Sequence, residues 1–350
     1  MQTPSTRTAT TARWRILLVA LSLALIAAAP PPRDPRLIGE LGVADRDHCP
    51  AFSPDGTWLL TAGDEEVAGE SSYFVTKWDL RTRKALARFP VESIPGYGSS
   101  RLTVSPSGKT FAYCDGKGKV VVRDSSTGKT VFSYKQWEDG STDGDLLTFL
   151  DDDHIFSVDS DGIGQKRNIR NNRTELHRMG VVGMMHGIAL SPRKGLLVYI
   201  IGADLRVVKA DLKKDADSFQ HGMNYKRRPL AITDDGAYAL AGHRFGGLAL
   251  FDVKGKKLIR RWQGHLYGED EALILQIKAI PGRNVFVTTD VVGTIRFWGT
   301  KGERLAEVRR YIGEMHPLAV SPDGKVLATG GQQQPIVLWD LEKILPKKAK

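Results

Sequence analysis

Cysteine is scarce in this 350-residue chain: only Cys49 and Cys114 are present. That leaves room for one disulfide at most, and cysteines within strands commonly serve as small buried apolar residues. Apolar runs of membrane-spanning length are also missing, since the longest, Ile16 to Ala29, has 14 residues where a spanning helix needs roughly 20. Catalytic signatures are absent too. There is no Gly-x-Ser-x-Gly elbow, no phosphate-binding Walker loop and no dinucleotide fingerprint. Charge of one sign does not dominate, with a formal net charge of +10, a modest excess that by itself gives little reason to expect nucleic acid. Aromatic and apolar content is average, so no long disordered region is expected.

Residues 1–29 carry Arg7, Arg13 and Arg15, then the apolar run, then Ala27-Ala28-Ala29. A basic stretch, an apolar core and small residues at the end form the three-part pattern of a secretory signal. Pro30-Pro31-Pro32 follows directly, within a Pro-rich linker over residues 30–35. Cleavage would release an exported protein, periplasmic or extracellular. Retention would leave residues 16–29 as a membrane tether. No cysteine stands directly after the run, so a lipid anchor is not supported.

What fills the rest of the chain is a repeat. A Ser-Pro-Asp-Gly-like turn recurs, followed by a β-rich stretch that closes on an acidic or related position at Asp79, Asp124, Asn168, Asp211, Asp252, Gly299 and Asp340, spaced 41 to 47 residues apart. The turns are clearest at Ser53-Pro54-Asp55-Gly56, Ser105-Pro106-Ser107-Gly108, Ser191-Pro192 and Ser321-Pro322-Asp323-Gly324. Worn copies stand at Leu150, Thr233 and Ile280. Proline presets such a turn and glycine accepts its positive φ. This period is that of a four-stranded propeller blade. The chain is therefore expected to be all-β: a seven-bladed β-propeller of four-stranded antiparallel blades over residues 36–345, with a short basic tail at 346–350. The last copy lacks an outer strand, and Arg36–Leu41 can supply it, closing the ring and removing a sheet edge.

Trp78-Asp79-Leu80, Trp339-Asp340-Leu341, Phe251-Asp252-Val253, the Ser-Pro turns and the pair Gly264-His265 together resemble the WD40-repeat family. Tryptophan holds the third-strand site at Trp78, Trp298 and Trp339, while Arg123, Arg167 and Ala210 hold it elsewhere. The resemblance implies a protein-interaction platform with no chemistry of its own, hence no catalytic residue, cofactor or metal.

Blade topology assigns the loops to two faces. First-to-second and third-to-fourth turns share one face, which collects lysine and arginine and is expected to be strongly basic. The opposite face takes the long excursions at 64–73, 95–98, 137–145 and 265–271, and is expected to be acidic with exposed aromatic anchors. Candidate protein-binding residues are Tyr73, Tyr97, Trp137, Glu138, Asp139, Tyr267, Glu269, Asp270 and Glu271, facing a basic protein partner. His48, His186 and His316 each stand five residues before a turn serine and could line a central channel, the basis of the rival reading of a channel enzyme or a small-ligand or metal binder. Asp151-Asp152-Asp153 reads as a worn turn, and Asn172-Arg173-Thr174 as a sequon that matters only in a glycosylating host. Nucleic acid is not expected as a partner, because the basic residues lack interleaved aromatics.

Overall fold

The computed structural model describes residues 34–42, 48–67, 70–93, 102–115, 117–136, 146–158, 163–178, 185–191, 193–201, 204–209, 217–220, 229–243, 245–267, 270–309, 318–330 and 334–345. The chain divides into two units, Met1–Asp34 and Pro35–Lys350, and the second holds all the strands given below. The leader, the three-proline run and the basic tail lie outside the described residues.

Seven four-stranded antiparallel sheets follow one another along the chain. Blade 1 runs His48–Phe52, Trp58–Val67, Glu70–Asp79 and Ala85–Val91, and blade 2 runs Leu102–Val104, Thr110–Cys114, Lys119–Asp124 and Thr130–Lys135. Blade 3 comprises Leu146–Phe149, His154–Val158, Ile163–Asn168 and Thr174–Arg178, and blade 4 comprises Met185–Ser191, Leu196–Ile201, Asp204–Lys209 and Asp217–Gln220. Blade 5 is Leu230–Ile232, Tyr238–Gly242, Gly247–Asp252 and Lys257–Gln263, and blade 6 is Ile274–Ala279, Val285–Asp290, Thr294–Gly299 and Arg304–Arg309. Blade 7 has Leu318–Val320, Val326–Thr329 and Ile336–Asp340, with Leu37–Leu41 paired antiparallel to the last of these. The N-terminal strand thus closes the ring, as its apolar pattern predicts. Every strand of the last sheet gains a partner, and no edge of Ile336–Asp340 is left open to another chain.

Burial explains the sequence pattern strand by strand. Second and third strands are covered on both faces by neighbouring blades, so they read as continuous apolar runs such as Val120-Val121-Val122 and Ile336-Val337-Leu338, all buried. Outer strands are wetter, and Lys257–Gln263 is mostly exposed. No single core forms. Seven hydrophobic clusters occur among the described residues, one at each blade interface. Phe297 and Trp339 join blades 6 and 7, for example, and Leu59 of blade 1 meets Leu41 and Leu338 of blade 7. Stability is therefore shared among nearest-neighbour interfaces, as in other repeat architectures.

The turn serines are buried for a polar reason. Ser53 Oγ donates to Asp55 Oδ1 (2.6 Å) and accepts from the Trp58 N–H (3.0 Å). Ser321 repeats both contacts, to Asp323 Oδ1 (2.6 Å) and from the Val326 N–H (2.8 Å). One hydroxyl thus satisfies a buried backbone donor and orients the turn carboxylate. Gly56, Gly108, Gly236 and Gly324 follow with φ between 67° and 72°.

Candidate interaction surface

The closing carboxylates hold the third-to-fourth turns. Asp79 Oδ1 accepts from the Thr82 N–H and hydroxyl, and Asp124 Oδ1 from the N–H and hydroxyl groups of Ser126 and Thr127. Asn168 does the same for Arg170 and Asn171, Asp252 accepts from the Gly255 N–H, and Asp340 caps the short helix Leu341–Ile344 through Glu342 N. The Ser126 hydroxyl and the Thr127 N–H pull the Asp124 carboxyl down to about 2. At Gly299 there is no side chain, and Glu303 Oε2 accepts from the Lys301 N–H instead. Asp211 lies outside the described residues. In blade 4 the residue paired with Leu196 is Lys209, and Val208 is the buried residue standing where Trp298 stands in blade 6.

Between blades 5 and 6 the polar residues form one continuous buried chain. Trp298 Nε1 donates to Thr288 Oγ1 (2.9 Å), Thr288 Oγ1 lies 2.6 Å from His265 Nε2, and His265 Nδ1 lies 2.7 Å from Asp290 Oδ2. Thr288, His265 and Asp290 are fully buried. Burial holds the His265 pKa below its ordinary value, whereas the His265 hydrogen bond and the Thr294 and Val292 N–H groups pull Asp290 down against burial. A neutral imidazole beside an ionised carboxylate fixes every proton: Nδ1–H donates to Asp290, Nε2 accepts from the Thr288 hydroxyl, and that oxygen accepts from Trp298. The tryptophan–threonine pair recurs in blades 1 and 7. Trp78 Nε1 donates to Thr61 Oγ1 (2.9 Å) and Trp339 Nε1 to Thr329 Oγ1 (2.8 Å). Blade 3, with Arg167 at the tryptophan site, substitutes Tyr134 Oη, Ser157 Oγ (2.8 Å) and Gln136 Oε1 (2.5 Å), and the Arg167 guanidinium stacks over Tyr134. Thr288 and Asp290 belong to no recognisable motif in the sequence; their one signal is that Gly264-His265 precedes a Thr-Thr-Asp strand end.

The face of the short turns is mixed rather than strongly basic. Its lysines and arginines share it with the turn carboxylates, because the same Ser-x-Asp-Gly and Asp-x-x-Thr chemistry that shapes the turns places an acid in nearly every one. Arg170 pairs with Asp153 (2.5 Å) and Arg193 with Asp234 (3.7 Å), and Asp152 Oδ1 accepts from the Ser107 N–H (2.8 Å). Arg83 is an inter-blade clamp, donating to Ile38 O (3.1 Å) of the closing strand.

On the opposite face, blade 1 departs from expectation. Residues 64–67 and 70–73 are not an irregular excursion: the ladder runs on through Asp64↔Tyr73 and Glu65↔Ser72 to Val67↔Glu70. Arg88 supports it, pairing with Glu65 (2.9 Å) and stacking over Phe74 (3.8 Å to the ring centroid). The two strands have 10 residues each, against 4 to 6 in the corresponding strands of blades 2 and 7. Tyr73 is half-buried at the base of this extension, and Glu70, Ser71 and Ser72 are exposed. Leu266–Tyr267 and Asp270–Glu271 form a small hairpin of their own. Tyr97, Trp137, Glu138, Asp139 and Glu269 lie outside the described residues. So does His316, while His48 and His186 lie on the inner strands of blades 1 and 4. Cys49 and Cys114 are buried thiols in two different inter-blade clusters, one between blades 1 and 2 and the other between blades 2 and 3.

No protein-family model matches this sequence, and no curated protein does. Among solved structures the chain is similar to the WD40 repeats of RRP9, with a TM-score of 0.70 at 16% identity over 87% of this chain and 97% of that one. The fold is that of a WD40 propeller. U3-55K superposes equally well, with a TM-score of 0.69 at 16% identity over 87% of this chain and 98% of the other. At such identity the likeness is one of architecture. Among the described residues no helix is long and apolar enough to cross a membrane.

Proposed function

We propose that this WD40-type propeller is a non-catalytic protein-interaction scaffold, exported to the cell envelope or tethered there by residues 16–29, that binds a basic protein through its acidic, aromatic loop face. The observation that carries the reading is the blade 1 extension. A propeller blade needs no 10-residue second and third strands to close its ring, and this pair extends past the other blades with Glu70, Ser71 and Ser72 in solvent. Tyr73 at its base and the Leu266–Tyr267 hairpin belong to the same loop end, which supports a patch of aromatic anchors with an acidic rim. The closing turns on the other face have their carboxylates committed to their own backbone, which leaves less there to offer a partner.

The test is affinity capture from envelope extract with the full chain, beside a variant in which Glu269, Asp270 and Glu271 are all replaced by Lys. Retention of one basic protein by the native chain and its loss with the variant is the expected result. Equal retention by both would reject this face.

A further inference from the structure

Among the described residues five large apolar side chains are exposed: Leu86, Val131, Ile259, Leu266 and Leu273. Single exposed side chains are ordinary on any surface, but three of these five hold one and the same position in the repeat. Leu86, Val131 and Ile259 are each the unpaired residue of a β-bulge near the start of an outer strand. The register passes from Lys77↔Ala87 to Trp78↔Ala85, from Val122↔Phe132 to Arg123↔Thr130, and from Leu250↔Arg260 to Phe251↔Leu258. A bulge re-aims a side chain, yet it does not force exposure. Ile38 and Leu305, bulged at the same place in blades 7 and 6, are half-buried and pack against inter-blade clusters. In blades 1, 2 and 5 the apolar residue is instead 57%, 54% and 39% exposed.

Each of the three follows directly on a basic third-to-fourth turn. The turns 79–84, 124–129 and 252–257 carry Arg81, Arg83, Lys84, Lys129, Lys254, Lys256 and Lys257, all exposed, against the closing Asp79, Asp124 and Asp252. Each of those carboxylates is hydrogen-bonded into its own turn. These turns are thus the basic part of an otherwise mixed face. Blades 1 and 2 are neighbours, and in a ring of seven blade 5 stands opposite their junction, so the three points span the face and form no single groove. A flat partner reaches all three. One with an apolar interior beneath a negatively charged surface matches both halves of each apolar–basic pair. The chain also enters the propeller here: Asp340 N donates to Arg36 O as Asp79 N does to Lys84 O and Asp124 N to Lys129 O. Arg36 therefore takes the place in blade 7 that Lys84 and Lys129 hold in blades 1 and 2. Residues 30–34 alone separate Ala29, the end of the apolar run, from Pro35, and five residues reach at most about 18 Å.

We infer that the short-turn face docks on an anionic lipid bilayer, with Leu86, Val131 and Ile259 entering the headgroup region and the adjoining lysines and arginines meeting lipid phosphate. The inference rests on the envelope tether proposed above, and it leaves the loop face turned toward the protein partner. The test uses the full chain with an environment-sensitive fluorophore at Val131→Cys, or at Ser72→Cys on the loop face. Cys49 and Cys114 are buried, so the introduced thiol takes the label. The protein is mixed with vesicles of phosphatidylglycerol and phosphatidylcholine that contain brominated lipid as a quencher. Flotation with the vesicles reports attachment, and quenching reports which face meets the lipid. The expected result is quenching at position 131 and none at 72, with the quenching at 131 lost when Lys84→Glu, Lys129→Glu and Lys257→Glu are combined. If Val131→Cys does not fold, Leu86→Cys takes its place. Flotation without quenching at 131, equal quenching at both positions, or quenching that survives the charge reversal would overturn the docking and leave the tether standing. Absence of flotation would overturn both.

Discussion

His265 shows what a single residue does in this architecture. It leaves the end of one blade and is buried against the next, where its two nitrogens connect Asp290 and Thr288 and, through Thr288, Trp298. Removing one member strands the others: Asp290→Ala should cost about 3–5 kcal/mol, read by chemical denaturation, and a loss below about 1 kcal/mol, the size of one ordinary hydrogen bond, would show that the chain is not cooperative. The sign of the pH dependence follows from the same burial. His265 takes up its proton less readily folded than unfolded, so below its ordinary value of 6.5 the unfolded state binds more protons and stability falls with pH. Asp290 and Asp124 are also held below their ordinary value of 3.8, and they extend the loss to more acid conditions as they are forced to protonate. The melting temperature should therefore drop on acidification from pH 7 to 5, and drop less in His265→Gln. The Trp and His were legible in the sequence as repeat residues. Their partners were not, because Thr288 and Asp290 sit on a second strand whose apolar pattern looks the same with or without them.

The turns and strands were legible to different degrees, and the reason lies in how locally each is determined. Ser-Pro-Asp-Gly turns and closing acids are short-range features, and five of the seven closing positions show their carboxylate or amide capping the next turn. The third strand of blade 4 differs from expectation, its tryptophan site falling on Val208 rather than Ala210, because no Trp or Asp marks it and only pairing fixes the register. The blade 1 extension was hidden by its polar residues, which read as loop until cross-strand pairing and the Arg88 contacts are seen. Third-to-fourth turns carry a measurable strain. Arg83, Asn172 and Lys256 have φ of 58°, 59° and 50° at the place where Gly128 has 71°. Lys256→Gly should stabilise the protein by about 1 kcal/mol. Gly128→Ala should destabilise it by about 1–3 kcal/mol, because a Cβ there would collide with the Phe89 ring. Equal effects of the two substitutions would refute the conformational argument. At the closing strand, Leu41 is fully buried against blades 7 and 1. A chain starting after Gly42 should lose its cooperative melt and associate through the bare edge of Ile336–Asp340, visible by size-exclusion chromatography.

At the scale of the whole molecule, the ring divides labour between a rigid frame and two unlike faces. Seven inter-blade clusters and the clamps from Arg83, Arg123 and Arg296 to neighbouring backbone carbonyls fix the frame. The short-turn face carries turn carboxylates that hold their own backbone, while the opposite face carries the blade 1 extension and the pairing of Leu266–Tyr267 with Asp270–Glu271. The number of blades and the closure of the ring followed from the repeat alone. The balance of charge between the faces did not, because the acids that neutralise the turn face are part of the turn motif. Function turns on which face meets a partner. A photo-cross-linking amino acid placed in turn at Tyr73 on the extension and at Lys129 on the short-turn face, in the full chain in its own cells, tests this directly. A discrete protein adduct from position 73 and none from position 129 is the predicted result; the reverse would contradict the assignment of the loop face.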